Sequence, residues 1–307
     1  MEIAVVVDGM PEPTARLQPW MHYREQLAAH GYQLRMFAGD AIAEAFTRPY
    51  DAMMIYIWLD WRNRRYFEPR RTMRMLERHA TYRIDFPQTK QIVVNHTDMA
   101  RRPFAHVYWR PDDPVLYRTP AYDRSLLHPL PARSIWPYEM VWGTPALFSP
   151  TPPAHLAGFI GTGSGPAGYR ERVARETAKV GIGCCLETRA FPTDQYYRLL
   201  ADCQIIVCPR GWGEQSLRHW DAWLSGKPVL TDRDCDSVEM IPGIHLRAGE
   251  HYLVYDEPEE IPDLVRHWTH PSRSEELTRI AEQGRLAARS YDALANLITF
   301  FERTLVQ

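Results

Sequence analysis

The stretch QIIVCPRGWGEQSLRHWDAWLSGKPVLTD, Gln204 to Asp232, constrains the fold more than any other part of this chain. Ile205 to Pro209 form an apolar run short enough for a strand buried on both faces. Arg210-Gly211-Trp212-Gly213 interrupts it, because two glycines so close together admit backbone angles that other residues resist. From Glu214 to Ser225 the apolar spacing is helical. Leu217, Trp220 and Leu224 fall on one face, and Arg218 and Asp221, three apart, share another. Gly226 stops the helix, and Lys227-Pro228 leads into the apolar Val229-Leu230. Strand, helix and strand in that order favour a parallel sheet covered by helices.

The same alternation opens the chain. Ile3 to Val7 reads as a strand, Thr14 to Ala29 as a helix interrupted near its start by Pro19, and Tyr32 to Phe37 as a second strand. A third strand lies in Tyr50 to Leu59, a helix in Pro69 to His79 and a fourth strand in Gln91 to Asn95. From Arg101 to Trp142 the periodicity fades into a segment rich in proline and aromatics, and the proline-dense GTPALFSPTPPAH at 143–155 reads as a linker.

The pattern then restarts. Leu156 to Ile160 predicts a strand, Gly161-Thr162-Gly163-Ser164-Gly165 a flexible turn, Ala167 to Val180 a helix, Gly183 to Leu186 a strand and Thr193 to Cys203 a helix. Beyond the 204–232 unit come a strand at Tyr252 to Val254 and helices at Glu259 to His267 and Arg273 to Leu305, the last with Ser272 and Glu275 spaced as a capping box. The expected architecture is α/β, with two Rossmann-like domains facing each other across a cleft. They span residues 1–150 and 151–285, and a C-terminal helix over 286–307 packs back on the first. With 307 residues, 45% of them hydrophobic, the chain is long enough for two cores and too apolar for disorder.

No apolar run approaches the roughly 18 residues that would span a bilayer. The opening MEIAVVVDGM has no basic segment and meets an acid at Asp8, unlike a secretory signal. Five cysteines without Cys-x-x-Cys spacing read as reduced structural thiols rather than disulfides or a zinc site. The expectation is a cytoplasmic protein. The first 150 residues carry a net positive charge and the remainder a net negative one, so the first half is the better face for an anionic partner.

The 204–232 unit can hold an anionic ligand that also carries hydroxyl groups. Gly211 and Gly213 let such a ligand approach the backbone, the helix N-terminus offers unpaired N–H groups, and Arg218 adds a cation. Asp221, an acceptor only, can take hydrogen bonds from a diol such as a ribose. The same spacing also suits an ordinary core unit in which Arg218 and Asp221 pair on the surface. Gly161 and Gly163 form a second candidate phosphate turn, with Arg170 and Arg172 just behind it, but without G-x-G-x-x-G spacing or a P-loop lysine. Asp232-Arg233-Asp234 has the D-x-D spacing of a divalent-metal site and equally reads as an acidic loop after a strand; no metal is expected. Trp58, Trp61, Arg62, Arg64 and Arg65 begin a basic, aromatic run reaching Arg78, suited to phosphates and bases or to a solvated helix face. Asp8, His96 and Asp98 follow the first and fourth strands, where a general base would meet a cleft.

The pattern Cys-Pro-Arg-Gly-x-Gly-x-x-Ser-x-Arg-x-x-Asp-Ala-x-x-x-Gly-Lys-Pro-Val, from Cys208 to Val229, resembles the donor-site motif of GT-B-fold glycosyltransferases, closest to the spore-maturation-type and exostosin-like branches. The resemblance extends over about 150 residues of the C-terminal half. It implies that Ser216 and Arg218 hold the donor diphosphate and Asp221 the nucleotide ribose, with Arg210, Gly211, Trp212, Gly213, Glu214 and Leu217 around the sugar and phosphates. Arg189 would lie near the base. The family usually has glutamate where this chain has Asp221, which shortens the reach of the acid. The implied activity is transfer of a hexosyl or pentosyl group from a UDP- or GDP-sugar to an acceptor hydroxyl, with no further cofactor and no metal. The sequence does not identify the acceptor; a glycan and a nucleic acid, for instance a hydroxymethylated base in DNA, are both open. A nucleotide-sugar epimerase and a non-catalytic nucleotide-sugar binder use the same architecture and stay open.

Overall fold

A computed structural model describes residues 1–7, 13–57, 69–95, 115–118, 135–138, 153–163, 168–186, 193–211, 216–237 and 240–306. The chain divides into two compact units. One comprises Met1–Arg118, Tyr122–Trp142 and Asp292–Gln307; the other comprises Thr119–Ala121 and Gly143–Tyr291.

The first unit is built on β1 (Glu2–Val7), β2 (Gln33–Ala38), β3 (Ala52–Ile57), β4 (Lys90–Asn95), β5 (Val115–Arg118) and β6 (Ile135–Tyr138), with α1 (Pro13–Ala29), α2 (Ile42–Ala45) and α3 (Pro69–Asp85) between them. All pairings are parallel, in the order β2-β1-β3-β4-β5-β6. The run IAVVV of β1 is fully buried because helices cover both faces of the sheet. Ile3, Val5 and Val7 join Trp20, Leu27 and Leu34 on one side, while Ala4 and Val6 join Phe37, Met53, Ile55 and Tyr82 on the other.

The second unit carries β7 (His155–Thr162), α4 (Tyr169–Ala178), β8 (Gly181–Leu186), α5 (Thr193–Ala201), β9 (Cys203–Cys208), α6 (Leu217–Leu224), β10 (Val229–Asp232), β11 (Leu253–Tyr255), α7 (Ile261–Trp268) and α8 (Ser274–Ser290). Its sheet is also parallel, in the order β11-β10-β9-β7-β8. Ala157, Phe159, Ile205, Val207, Leu230 and Leu253 from the strands pack with Val173, Ile261, Val265 and Ile280 from the helices. Gly226 ends α6 in the left-handed conformation at φ 68°, which a side chain would resist.

Several expectations need correction. The segment 101–142 contains the four-residue strands β5 and β6; they are too short for a period to emerge, and Pro137 is tolerated because β6 is the edge strand. The break between the units falls at 142/143 rather than 150. The helix expected over 273–305 is two helices. Tyr291 and Asp292 are extended, and Asp292 caps α9 (Ala293–Phe301) by accepting from the Ala295 N–H at 2.9 Å. Only Asp292–Gln307, not 286–307, groups with the first unit, where Leu297, Phe300 and Phe301 pack on Trp20 and Leu27. Ser272 does not cap α8; its hydroxyl and N–H pair with the His270 ring in a preceding turn. Gly161 and Thr162 extend β7 instead of forming a flexible turn. All five cysteines are free thiols, and among the described residues no helix is long and apolar enough to cross a membrane.

Candidate functional site

In the second unit the chain runs from β7 to β8 on one side and then crosses to β9 on the other, which makes the β7/β9 boundary the topological switch point. Open α/β sheets bind ligands outside the carboxyl ends of the strands at such a point, since the two crossovers leave in opposite directions and open a crevice. Here those ends are Thr162 and Cys208.

Arg218, on the first turn of α6, lies in this crevice. Its residue is only 8% exposed, one Nη2–H donates to the Ile160 carbonyl of β7, and the guanidinium carbon stands 4.8 Å above the Phe159 ring. Nε and Nη1 are buried and have no hydrogen-bond partner among the described residues. Gly161 makes this seat possible, because a Cβ there would come within 2.6 Å of Nη2.

The N-terminus of α6 is held by a buried polar chain. The Ser216 N–H donates to His219 Nδ1 at 3.0 Å, so the ring keeps its proton on Nε2 and donates it to Thr231 Oγ1 at 2.9 Å. The Thr231 hydroxyl donates to the Cys208 carbonyl at 2.8 Å. His219 therefore takes the part usually given to a Glu or Gln three residues after the cap, and ties α6 to β9 and β10. Burial holds its pKa down to about 3, so the ring is neutral.

Arg170, expected to neutralise phosphate, has a different task. From α4 it donates to the carbonyls of Arg210 (Nε, 2.9 Å), Thr162 (Nη1, 3.3 Å) and Pro209 (Nη2, 3.4 Å), joining the ends of β7 and β9. Arg210 is also engaged: it ion-pairs with Asp234 and stacks on Tyr169 at 5.2 Å, and its N–H donates to Asp232 at 2.6 Å. Burial raises the Asp232 pKa, partly offset by that N–H. Asp232 and Asp234 thus secure Arg210 and the segment after β9, and among the described residues no cluster of three or more metal-ligating side chains occurs. Gly163 lies beside Glu171. A Cβ there would meet the Glu171 carboxylate at 2.5 Å, so this glycine faces an acid where a phosphate turn was expected.

Asp221 is half-buried one turn beyond Arg218, not paired with it on the surface. Oδ2 accepts from the Tyr196 hydroxyl at 3.2 Å and Oδ1 from the Tyr197 hydroxyl at 3.0 Å. Burial raises its pKa, against the lowering effects of the two phenols and of Arg218.

The structure thus brings together Gly161, Arg170, Arg210, Gly211, Ser216, Arg218 and Asp221 from the expected set, with the Leu217 backbone. Phe159, Tyr196, Tyr197, His219 and Thr231 complete the site without having been expected. The sequence alone singled out none of them; His219 stands at the third position of α6 as observed, which begins at Leu217 rather than Glu214. Asp8, His96, Asp98, Trp58, Trp61, Arg62, Arg64, Arg65, Arg189, Trp212, Gly213 and Glu214 lie outside the described residues, although β1 ends at Val7 and β4 at Asn95, immediately before the first two.

A family model described as "Glycosyl transferase-like" matches residues 158–300. No curated protein matches the chain. Among solved structures, HepE from Anabaena in complex with UDP has a TM-score of 0.59 at 11% identity, covering 100% of both chains. Sucrose-phosphate synthase from Thermosynechococcus elongatus scores 0.62 at 11% identity, covering 100% of this chain and 99% of that one. An alpha-glucosyltransferase (AGT) in complex with UDP scores 0.61 at 8% identity over 100% of both. At such identities the likeness is one of fold, and the fold is GT-B: two α/β units, each on a parallel sheet.

Proposed function

We propose that the protein is a glycosyltransferase whose second unit binds a nucleoside diphosphate sugar at the carboxyl ends of β7 and β9. The observation that carries this reading is Arg218: a buried guanidinium with two unbonded donors at the switch point of the sheet. A buried cation with two unbonded donors and no ion-pair partner among the described residues destabilises the free protein, and a diphosphate seated there offsets that cost. The α6 N-terminus adds backbone N–H groups on the same side, and the charge that grows on the departing nucleoside diphosphate is where such donors stabilise a transition state. The match of residues 158–300 and the UDP held by HepE and AGT support this assignment.

Within the class, the motif at 208–229 favours the spore-maturation-type and exostosin-like branch, and the transfer on this reading is metal-independent. The first unit supplies the acceptor site and the base, for which Asp8, His96 and Asp98 are the candidates. The acceptor is a glycan or a nucleic acid. If it is nucleic acid, binding falls steeply with salt through the arginines of residues 62–78.

The test is calorimetric titration with UDP, GDP and their glucose conjugates, followed by product analysis with a panel of glycan and DNA acceptors. Binding together with acceptor-dependent release of nucleoside diphosphate is expected. An isomerised donor without acceptor marks an epimerase, and binding without turnover marks a sensor. No binding of any nucleotide refutes the donor site itself.

A further inference from the structure

The shortened acid at position 221 has neighbours that make up for it. Tyr196 and Tyr197 are consecutive on α5, so their side chains leave that helix about 100° apart. Both nevertheless end on the same carboxylate, one on each oxygen, at 3.2 and 3.0 Å, with their rings edge to face at 5.2 Å. Asp221 therefore sits over the seam between them, and its plane is set by two bonds rather than one. A carboxylate offers about four lone-pair sites. The two phenols take one on each oxygen, which leaves each oxygen able to accept one further hydroxyl. Two acceptors side by side match the two hydroxyls of a vicinal diol. Burial is the largest of the influences raising the pKa of both phenols, and Asp221 adds to it, so both keep their protons and donate at neutral pH.

We propose that Tyr196 and Tyr197 are positioning residues that orient the carboxylate of Asp221 as a paired acceptor for the 2′- and 3′-hydroxyls of the donor ribose, and that this arrangement makes the site selective for ribonucleotides over 2′-deoxyribonucleotides. The proposal rests on the donor site assigned above. Arg218 serves the phosphates and does not discriminate between the two sugars. The Asp221–tyrosine group does, since removing the 2′-hydroxyl takes one charged hydrogen bond from a half-buried carboxylate oxygen and leaves it with its tyrosine alone.

The experiment compares UDP with 2′-deoxy-UDP, and GDP with 2′-deoxy-GDP, by calorimetry on the wild type, Tyr196→Phe, Tyr197→Phe, the double variant, and the double variant carrying Asp221→Glu. The wild type is expected to prefer the ribonucleotide by about tenfold or more, the worth of one hydrogen bond to a charged acceptor. Each Tyr→Phe change should lower that ratio severalfold while leaving affinity for the deoxynucleotide nearly unchanged. The longer acid, which reaches the diol without help, should restore the preference. A purely structural role would weaken both nucleotides equally and leave the ratio intact, and an intact ratio in the folded single variants overturns the proposal. A wild type that binds both sugars equally also overturns it, while the phosphate assignment stands. If no nucleoside diphosphate binds at all, the donor-site reading falls first and takes this one with it.

Discussion

Replacing Arg218 with methionine separates a ligand-binding cation from a structural one, because the two make opposite demands on the free protein. In the native fold the guanidinium retains one bond, to the Ile160 carbonyl, and the face of Phe159. Losing these costs about 1.5–3 kcal/mol for the charged hydrogen bond and about 1 kcal/mol for the ring contact. Against this, two buried donors, Nε and Nη1, cease to be unsatisfied, at about 1–3 kcal/mol each, and a buried charge disappears. The opposing sums are of similar size. Methionine also fills most of the space with a flexible apolar chain. Arg218→Met should therefore unfold in urea within about 1 kcal/mol of the wild type, or be more stable. Its ligand response should vanish. If UDP or GDP at 100 times its Kd stabilises the wild type by about 2.7 kcal/mol, the variant should gain close to nothing. A loss of about 3–5 kcal/mol in the free variant would refute the reasoning, since that is what breaking a satisfied buried charge costs. So would an undiminished nucleotide shift.

Arg170→Lys should act the other way, destabilising the free protein by about 2 kcal/mol in urea melts, because an ammonium cannot reproduce the fork that holds three carbonyls at the ends of β7 and β9; a change under about 0.5 kcal/mol would show that those bonds do not hold the segment. Gly161→Ala introduces a Cβ at 2.6 Å from Arg218 Nη2 and 3.0 Å from the Phe159 ring, so it should cost about 1–3 kcal/mol and abolish the nucleotide-induced thermal shift by unseating the guanidinium. His219 sets a pH dependence. Its pKa lies at about 3 in the fold against 6.5 for an unperturbed histidine, so as pH falls below about 6.5 the unfolded chain takes up a proton that the folded chain refuses, and stability is lost. The stability difference between wild type and His219→Gln, whose amide oxygen can still accept the Ser216 N–H, should shift by up to about 1.4 kcal/mol per pH unit between about pH 6 and 4. A constant difference across that range would mean that His219 is not held neutral.

How far the sequence could be read depended on the range of the physical signal. Strands β1, β4, β7 and β9, inside their sheets, were legible because each carries an unbroken apolar run, which is what a strand buried on both faces requires. β5 and β6 were not, since four residues hold no period and Pro137 argues against a strand unless its edge position is known. The break at Tyr291 was hidden for a related reason. The apolar positions of α8 and α9 continue at helical spacing across it, and only Asp292 marks a cap.

The site divides along the same line. Arg218 and Asp221 could be found because glycines, a helix start and a three-residue spacing are local patterns. The role of Arg170 could not, because three carbonyls at the ends of two strands leave no mark in the sequence; the nearby glycine turn suggested phosphate, and Gly163 lies beside Glu171. Asp221 shows what long-range contacts add. Considered alone it is a truncated acid with a reduced reach. Tyr196 and Tyr197, 25 and 24 residues earlier on another helix, change that reading: their two bonds hold the carboxylate in one orientation, so its shorter arm need not be matched by looser binding. A longer, freely rotating acid and a shorter, fixed one can present the same pair of acceptors. The first loses side-chain entropy on binding, and the second carries the cost of burial before binding. The raised pKa of Asp221, caused first by burial, is the trace of the second solution.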